Sequence, residues 1–306
     1  MKRTGLIVLI VICLVVFIAT LAGGILLTIN NIGWQDLLDE SRLQEHVQKI
    51  TQNINIQSWL PGKRTAFTID ESIDLDLSKI RSIDLSTVSE SITVLPVTGK
   101  GQARLNGNYT AATPLRFEAA IQGDTLHIKP EYPRLGIFFS DLHLTVEIPD
   151  TFDGDLSIYS VSGEIQLPGT SAKDWQNIDL KTISGGIKAD RADYSQIRLV
   201  SVSGRVDLGE ISAKVDCRTT SGSIKLDYAT FQDTTVKSVS GTVDIMLPAQ
   251  TDVSVRYATV SGSFSDQDLP LVGDSQNARR YSGKMGDGHL LLDVDTTSGS
   301  LHLVAR

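Results

Sequence analysis

The chain has 306 residues, a formal net charge of −8 and only 6% aromatic residues. Its length exceeds one minimal domain and does not suggest two enzymes. Because no basic patch is interleaved with aromatic residues, nucleic-acid binding is not expected. The low aromatic content suits a thin, repetitive β core. Cys13 lies in the N-terminal apolar run and Cys217 at an inward strand position, so we expect no disulfide and interpret Cys217 as a small hydrophobe.

The N-terminus predicts a membrane anchor. Residues 1–5 carry Lys2 and Arg3, and Leu6–Ile29 is an uncharged apolar run of 24 residues, enough to cross a bilayer. The positive-inside rule places residues 1–5 in the cytoplasm and the C-terminal domain outside the cell membrane, after a single pass over 6–29. Thr20-Leu21-Ala22 before Gly23 resembles a signal-peptidase site. The apolar run continues beyond it, which favours an uncleaved anchor over a signal peptide or a lipoprotein.

Residues 30–64 are predicted to form a juxtamembrane helix and linker. An amphipathic pattern over 34–52 favours a short helix, and Pro61-Gly62 closes the linker. From residue 65 an irregular β lead-in begins, with strands predicted over Phe67–Leu77, Leu115–Ala120, Thr125–Lys129 and Leu142–Ile148. The apolar run 137–139 is either a binding loop or a cover over an open end of the fold, and we favour the cover.

From Asp150 onward the chain repeats a Ser-Gly unit. Successive glycines are 22, 19, 18, 19, 21 and 37 residues apart, and the last gap spans two periods. A period of this size is typical of a solenoid. The seven glycines are Gly163, Gly185, Gly204, Gly222, Gly241, Gly262 and Gly299. A degenerate copy over 83–94 has Glu90 in place of glycine and predicts an atypical early or capping rung.

Apolar and polar residues alternate around each glycine, which we number zero. Position −5 and position +2 are apolar, −3 is always Ser or Thr, −1 is always Ser, and +4 is apolar except at Asp266. This period of two predicts strand, corner, strand, with −7, −5, −3, −1, +2 and +4 facing inward. Glycine marks a bend where a side chain does not fit or where φ is positive. The inward hydroxyls are expected to hydrogen-bond one another.

The sequence therefore predicts an all-β fold over 65–306, a parallel β-solenoid (single-stranded β-helix) with rungs of about 19 residues. Outward charges support this register, because opposite signs alternate from rung to rung, about 4.8 Å apart in a parallel stack. At position +3 the neutral Gln166 is followed by the charge ladder Lys188, Asp207, Lys225 and Asp244, and at position −6 the ladder consists of Asp179, Arg198 and Asp216. The insertion 266–288 is either a functional lateral loop or a solvated connection, and we favour the connection.

No catalytic, cofactor-binding or metal-ligating constellation is predicted. The five histidines are scattered, no Gly-x-Ser-x-Gly elbow appears, and the calcium-binding nonapeptide is absent. In a polysaccharide-active β-helix, Asp207 and Asp244 would flank a glycosidic bond. Their alternation with lysines fits a surface ladder better, so we expect no enzyme and no cofactor.

The chain resembles the bacterial putative-adhesin family, a domain of unknown function whose LiaG-like members are cell-envelope proteins. The resemblance covers residues 65–306 and rests on the Leu144-x-Val146-x-Ile148-Pro149 strand, the Ser-Gly rungs and the closing segment 286–299. It implies a Gram-positive-type envelope setting and no known catalytic residues.

We therefore expect a non-enzymatic surface scaffold or binding protein of the cell envelope, linked to an envelope-stress response. Its partner is an envelope component or a protein of unknown identity. One alternative is a regulatory partner of a membrane sensor system, acting through the span and the juxtamembrane helix. A second, less favoured alternative is a polysaccharide-active β-helix enzyme.

Overall fold

The computed structural model describes residues 65–133, 137–168, 175–277 and 279–306, with the side chains of 137–139 and 274–277 left out. These residues lie in one compact unit, residues 60–306. They form 23 strands and no helix. The strands are β1 (Thr65–Leu75), β2 (Ser82–Thr87), β3 (Ser91–Val97), β4 (Gly101–Ala111), β5 (Arg116–Gln122), β6 (Thr125–Glu131), β7 (Ile137–Pro149), β8 (Asp155–Ser160), β9 (Ile165–Leu167), β10 (Asn177–Thr182), β11 (Ile187–Ala189), β12 (Gln196–Ser201), β13 (Val206–Ile211), β14 (Lys214–Ser221), β15 (Ile224–Tyr228), β16 (Thr234–Ser240), β17 (Val243–Leu247), β18 (Val253–Thr259), β19 (Phe264–Gln267), β20 (Val272–Asn277), β21 (Arg280–Met285), β22 (Leu290–Ser298) and β23 (Leu301–Ala305).

The strands build two sheets. Sheet A has the order β1-β4-β7-β3-β9-β11-β13-β15-β17-β23-β19, and sheet B has the order β20-β21-β18-β22-β16-β14-β12-β10-β8-β2-β6-β5. Each rung is one sheet B strand, a corner and one sheet A strand, as in β10–β11, and rungs stack in parallel through both sheets. The prediction of an all-β, solenoid-like stack is confirmed.

The core lies between the two sheets. Inward residues of sheet A such as Ile187, Val206 and Ile224 are at most 1% exposed. Position −5 of sheet B is equally buried, and Cys217 there is a fully buried free thiol, as predicted. Each rung thus adds apolar side chains to one continuous core, which no rung buries alone.

Close approach explains the glycine column. A Cβ on Gly204 would lie 1.8 Å from the carbonyl oxygen of Gly185, and one on Gly185 would lie 2.0 Å from that of Gly163. Each corner therefore packs its backbone against the next corner. Only Gly241 among the repeat glycines also has a positive φ, of 126°. Lack of space, rather than backbone conformation, is the general reason for glycine here.

Two expectations about the hydroxyls are wrong. The position −1 serines, such as Ser203, are exposed and not inward, because the chain turns at the corner and the period of two does not continue through it. The position −3 hydroxyls are buried, apart from the half-buried Thr259, but they bond mainly within their own corner. Ser201 Oγ, for example, accepts from Gly204 N at 2.9 Å. Among the described residues, a bond between two such hydroxyls occurs at Thr87–Ser160, at 3.3 Å.

The stacking order differs from the chain order at both ends. The described strands form nine rungs, and the one that was not predicted is β6–β7, which has no Ser-Gly corner. β6–β7 stacks outside β2–β3, so β8–β9 follows β2–β3 in space. At the other end, β22–β23 lies between β16–β17 and β18–β19. The first two rungs and the last two are therefore exchanged. Across the 37-residue gap the chain first forms the outer rung β18–β19 and then returns to form β22–β23 on its inner side. The hairpin β20–β21, which lies within the gap, extends sheet B beyond β18.

Strands of the lead-in, β1, β4 and β5, cap the end of the stack at which β6–β7 is the outermost rung. Strands β4 and β5 run antiparallel to β7 and β6, and β1 pairs with β4 over 11 residue pairs. The strands predicted in this region are confirmed, and the run 137–139 begins β7 instead of forming a loop. Glu90, in the glycine column of the first rung in the chain, is fully buried. Its carboxylate accepts hydrogen bonds from Val88 N, Ser89 N and Tyr132 Oη.

The predictions for the N-terminal segments, 1–5, 6–29 and 30–64, concern residues outside the described part of the chain. Within the described part of the chain, no helix is long and apolar enough to span a membrane.

Candidate binding face

The outer face of sheet A carries the charge ladder predicted from position +3. Inward residues of these strands are buried, so the intervening residues point away from the core. Lys188 pairs in register with Asp207, and Lys225 lies between Asp207 and Asp244. Opposite charges therefore occupy neighbouring rungs, as predicted, and the same holds for Asp179, Arg198 and Asp216 on sheet B.

The ladder ends in a histidine that sequence reasoning did not place there. Because β23 lies beside β17, His302 is in register with Asp244, and its Nδ1 is 2.9 Å from Asp244 Oδ1. Both side chains are close to half exposed, at 43% and 47%. Lys188 instead contacts Asp190 on its own rung, at 3.3 Å. Exposed pairs of this kind contribute about 0–1 kcal/mol, so the ladder is available to a ligand at little cost in stability.

A shallow cleft of about 460 Å³ lies on this face, across the last four strands of sheet A. Its polar side is formed by Lys225, Asp244 and His302, and Met246 and Val304, which are neighbours in register, supply apolar surface. Ser265 and Gln267 of β19 also line the cleft. The cleft thus combines one cation, one carboxylate, a titratable imidazole and an apolar surface, a set suited to a group that is both hydrogen-bonded and packed.

The cleft lacks the arrangement needed for glycoside hydrolysis. Its lining contains a single carboxylate, Asp244, whereas that chemistry uses two that flank the bond. Asp207 and Asp244 are separated by Lys225 in the register. Elsewhere, Ser91 Oγ lies 2.5 Å from His143 Nδ1, and His143 Nε2 lies 3.5 Å from Asp141. The histidine and aspartate of that group are more than half exposed, so water surrounds them and it resembles a surface network more than an activated nucleophile.

A second polar cluster lies at the turn before β22. Asp252, Asp287 and His289 bring one potential ligand atom each within 4.8 Å of one another. The Asp252 carboxylate, however, already accepts hydrogen bonds from Gly288 N and His289 N and contacts His289 Nδ1. We interpret the cluster as a clip that fixes the turn, and we assign no metal to it.

Other perturbed groups are explained by burial. Desolvation raises the pKa of the Cys217 thiol to about 12, and desolvation followed by the nearby Glu90 charge raises the pKa of Tyr132. A thiol with a raised pKa is a poor nucleophile at neutral pH. Neither group opens onto the cleft.

The family comparison agrees with the repeat. Residues 169–303 match the family described as Toastrack DUF4097. Over this segment the chain is similar to a Toastrack domain. The match confirms the resemblance to the putative-adhesin family of unknown function, and the cleft lining lies almost entirely within the matched residues.

Solved structures of three proteins are similar to the chain. A putative cell adhesion protein from Clostridium sporogenes has 8% identity and a TM-score of 0.40, and the match covers 78% of this chain and all of that one. A putative adhesin from Parabacteroides distasonis has 9% identity and a TM-score of 0.44, with 79% and 97% covered. A putative adhesin from Bacteroides fragilis has 13% identity and a TM-score of 0.39, with 78% and 97% covered. No curated protein matches the sequence.

Proposed function

We propose that this chain is a non-enzymatic binding protein of the bacterial cell envelope. In this proposal the outer face of sheet A holds an envelope component or a partner protein. The single observation that carries the proposal is the shallow cleft over β15, β17, β23 and β19, because its lining is mixed in polarity and contains only one carboxylate. The other residues of the ladder form a flat, charged surface beside the cleft.

The proposed setting is extracytoplasmic, with a single uncleaved span over 6–29 and a cytoplasmic N-terminus. The support is the uncharged apolar run of 24 residues preceded by Lys2 and Arg3. Labelling of an introduced cysteine at Lys100, an exposed position between β3 and β4, with a membrane-impermeant thiol reagent in intact cells tests this orientation. Labelling only after cell lysis would contradict it.

The binding proposal is tested with residues 60–306, the compact unit that contains its own core. The purified unit is used to capture components from bacterial envelope fractions, including wall glycans and membrane proteins. The cleft variant Lys225→Gln/Asp244→Asn removes one charge of each sign inside the cleft. The matched control Lys188→Gln/Asp207→Asn makes the same change on the same ladder outside the cleft.

A component that binds the wild-type unit and the control variant, but not the cleft variant, would support the cleft as the binding site. Equal capture by all three proteins would place binding elsewhere on the molecule. If the wild-type unit captures nothing, the binding function itself is wrong for this domain.

A further inference from the structure

One of the four ends of the two sheets differs from the others. At three ends an antiparallel strand covers the outermost rung strand, since β4 pairs with β7, β5 with β6 and β21 with β18. At the fourth end the rung strand β19 is itself the last strand of sheet A and, among the described strands, pairs only with β23. The edge of β19 is therefore where a rung strand lacks a second neighbour.

Two residues of β19 direct their backbone groups to this open edge. Ser263 O accepts a hydrogen bond from Leu301 N at 3.0 Å, so the backbone of Ser263 faces β23. Backbone groups of successive residues in a paired strand point to opposite sides, so those of Phe264 and Asp266 point away from β23. Each residue has one N–H and one C=O. An edge of this kind is a template on which another strand can pair.

The side chains along the same edge have the chemistry that recognises a cation. Asp266, at position +4, is exposed. Phe264 stacks on Tyr281, with ring centroids 4.0 Å apart. Burial, and then the charge of Asp266, raises the pKa of Tyr281, so the carboxylate lies close to these rings. A carboxylate beside aromatic rings favours an ammonium or guanidinium group through charge pairing and cation–π attraction.

The charges of the chain itself disfavour a second copy at this edge. The other free edge of sheet A is β1, which carries Asp70, Glu71 and Asp74 and contains no Lys or Arg. Pairing of two β19 edges would place both Asp266 carboxylates in one joint of four residues. Like charges across such a joint are destabilising. The edge therefore fits a foreign segment that supplies a basic side chain.

We propose that the open edge of β19 binds an extended segment of a partner protein by strand addition, with a Lys or Arg of that segment opposite Asp266. In this mode of recognition, backbone hydrogen bonds give affinity and alternate side chains give specificity. The same carboxylate disfavours copies of this chain and selects a basic partner. The inference goes beyond the proposed function, because it uses the edge of the sheet and not the charged residues of the cleft.

The test uses residues 60–306 and the fluorescent, end-blocked peptide Thr-Val-Thr-Arg-Thr-Val-Thr. Its alternation places Arg and both Val on one face of a strand, and its palindromic sequence can add to β19 in either direction. Fluorescence anisotropy measures the affinity. The same peptide with Glu in place of Arg is expected to bind about three- to tenfold more weakly, because opposite charges across a joint are favourable and like charges are unfavourable.

Two measurements show whether the peptide adds as a strand. A peptide with N-methyl groups on Arg and on its two neighbours cannot donate the backbone hydrogen bonds at its centre, so it is expected not to bind. In amide hydrogen exchange followed by NMR, the Arg peptide is expected to protect the amides of Phe264 and Asp266. The amides of Ser265 and Gln267 face β23 and are expected to change little.

Substitutions identify the residue that selects the peptide. Asp266→Asn is expected to remove the preference for Arg over Glu, and Asp266→Lys is expected to reverse it. Asp153→Asn, which removes one exposed carboxylate between β7 and β8, is the matched control and is expected to bind as wild type. The cleft variant Lys225→Gln/Asp244→Asn is also expected to keep peptide binding, so failure of the cleft proposal and failure of this one are distinguishable.

Several results would overturn the inference. The first is that the Arg peptide does not bind, or that the Arg, Glu and N-methylated peptides bind equally well. The second is peptide-induced protection confined to other strands, such as β5 or β20. The third is a wild-type dimer in sedimentation velocity whose Phe264 and Asp266 amides are protected without peptide, which would assign the edge to a second copy. Binding to residues 60–306 but not to the full-length chain would assign the edge to the N-terminal segment of this chain.

Discussion

Two adjacent glycines at one corner allow a sharp test of the glycine column. A Cβ added at Gly185 would lie 2.0 Å from the carbonyl oxygen of Gly163 and 2.9 Å from Thr182 Oγ1. A Cβ added at Gly186 would have its nearest neighbour at 3.7 Å, an ordinary contact with Arg205 O. Neither residue has a positive φ. The substitutions Gly185→Ala and Gly186→Ala therefore differ in available space and in little else.

The expected cost at Gly185 follows from the contacts around it. The first contact is with backbone, so the corner must move by more than about 1 Å to reach an ordinary separation. That movement breaks or stretches the bond from Ser184 N to Val161 O, now 2.9 Å. A lost hydrogen bond costs about 0.5–1.5 kcal/mol and overpacking costs about 1–3 kcal/mol. We therefore expect Gly185→Ala to lower the free energy of unfolding by about 2–4 kcal/mol.

The measurement is urea unfolding of residues 60–306. It yields the midpoint urea concentration and the slope of the unfolding free energy against urea concentration. Gly186→Ala is expected to stay near wild type or to gain about 0.4–1 kcal/mol, because alanine restricts the unfolded chain. Hydrogen exchange of Gly185→Ala is expected to show loss of protection concentrated around β10 and β11. Equal midpoints for the two alanine variants would refute the argument from space.

Three further predictions concern buried or terminal groups. Tyr132→Phe removes one of the three hydrogen-bond donors to the carboxylate of the fully buried Glu90. Thermal unfolding is therefore expected to show a free energy of unfolding lowered by about 1–3 kcal/mol, and an unchanged melting temperature would contradict this. Burial raises the pKa of Cys217 to about 12, so iodoacetamide at pH 8 is expected to modify residues 60–306 only in denaturant, and rapid labelling of the native unit would be evidence against that burial. Asp266 is an exposed charge at position +4, which is apolar in the other rungs, and it lies on the edge strand β19. Such charges discourage edge-to-edge pairing, so Asp266→Val is expected to increase self-association in sedimentation velocity. A purely monomeric variant would argue against this role.

The repeat was sufficient to predict most of the fold. Position −5 is buried in all seven Ser-Gly rungs, and position +2 in all but β18–β19, where Phe264 is half-buried, because apolar residues at a period of two must face one core. The corner could not be predicted as well, since a turn interrupts the period and reverses the direction of Ser203. Strands β6 and β7 were predicted individually, but the rung that they form was missed because it lacks the Ser-Gly corner that defined the repeat.

The repeat alone could not predict the order in which the rungs stack. Val294 and Tyr257 both present an apolar side chain at position −5, so either rung fits beside Val236. The choice depends on long-range packing, with Phe264 stacked on Tyr281 of the terminal hairpin at 4.0 Å. The ladder was predictable, but the cleft was not, because the cleft requires His302 to lie beside Asp244.

The exchanged rungs at the two ends determine where a protein with this fold can gain or lose rungs. A rung duplicated or deleted at either end would disturb a crossing of the chain, whereas one in the middle, such as β12–β13, has only consecutive neighbours. Each whole rung gained there lengthens the molecule by about 4.8 Å, the spacing between neighbouring strands. Variation in length is therefore expected as complete central repeats, with both terminal assemblies inherited intact and moved farther apart.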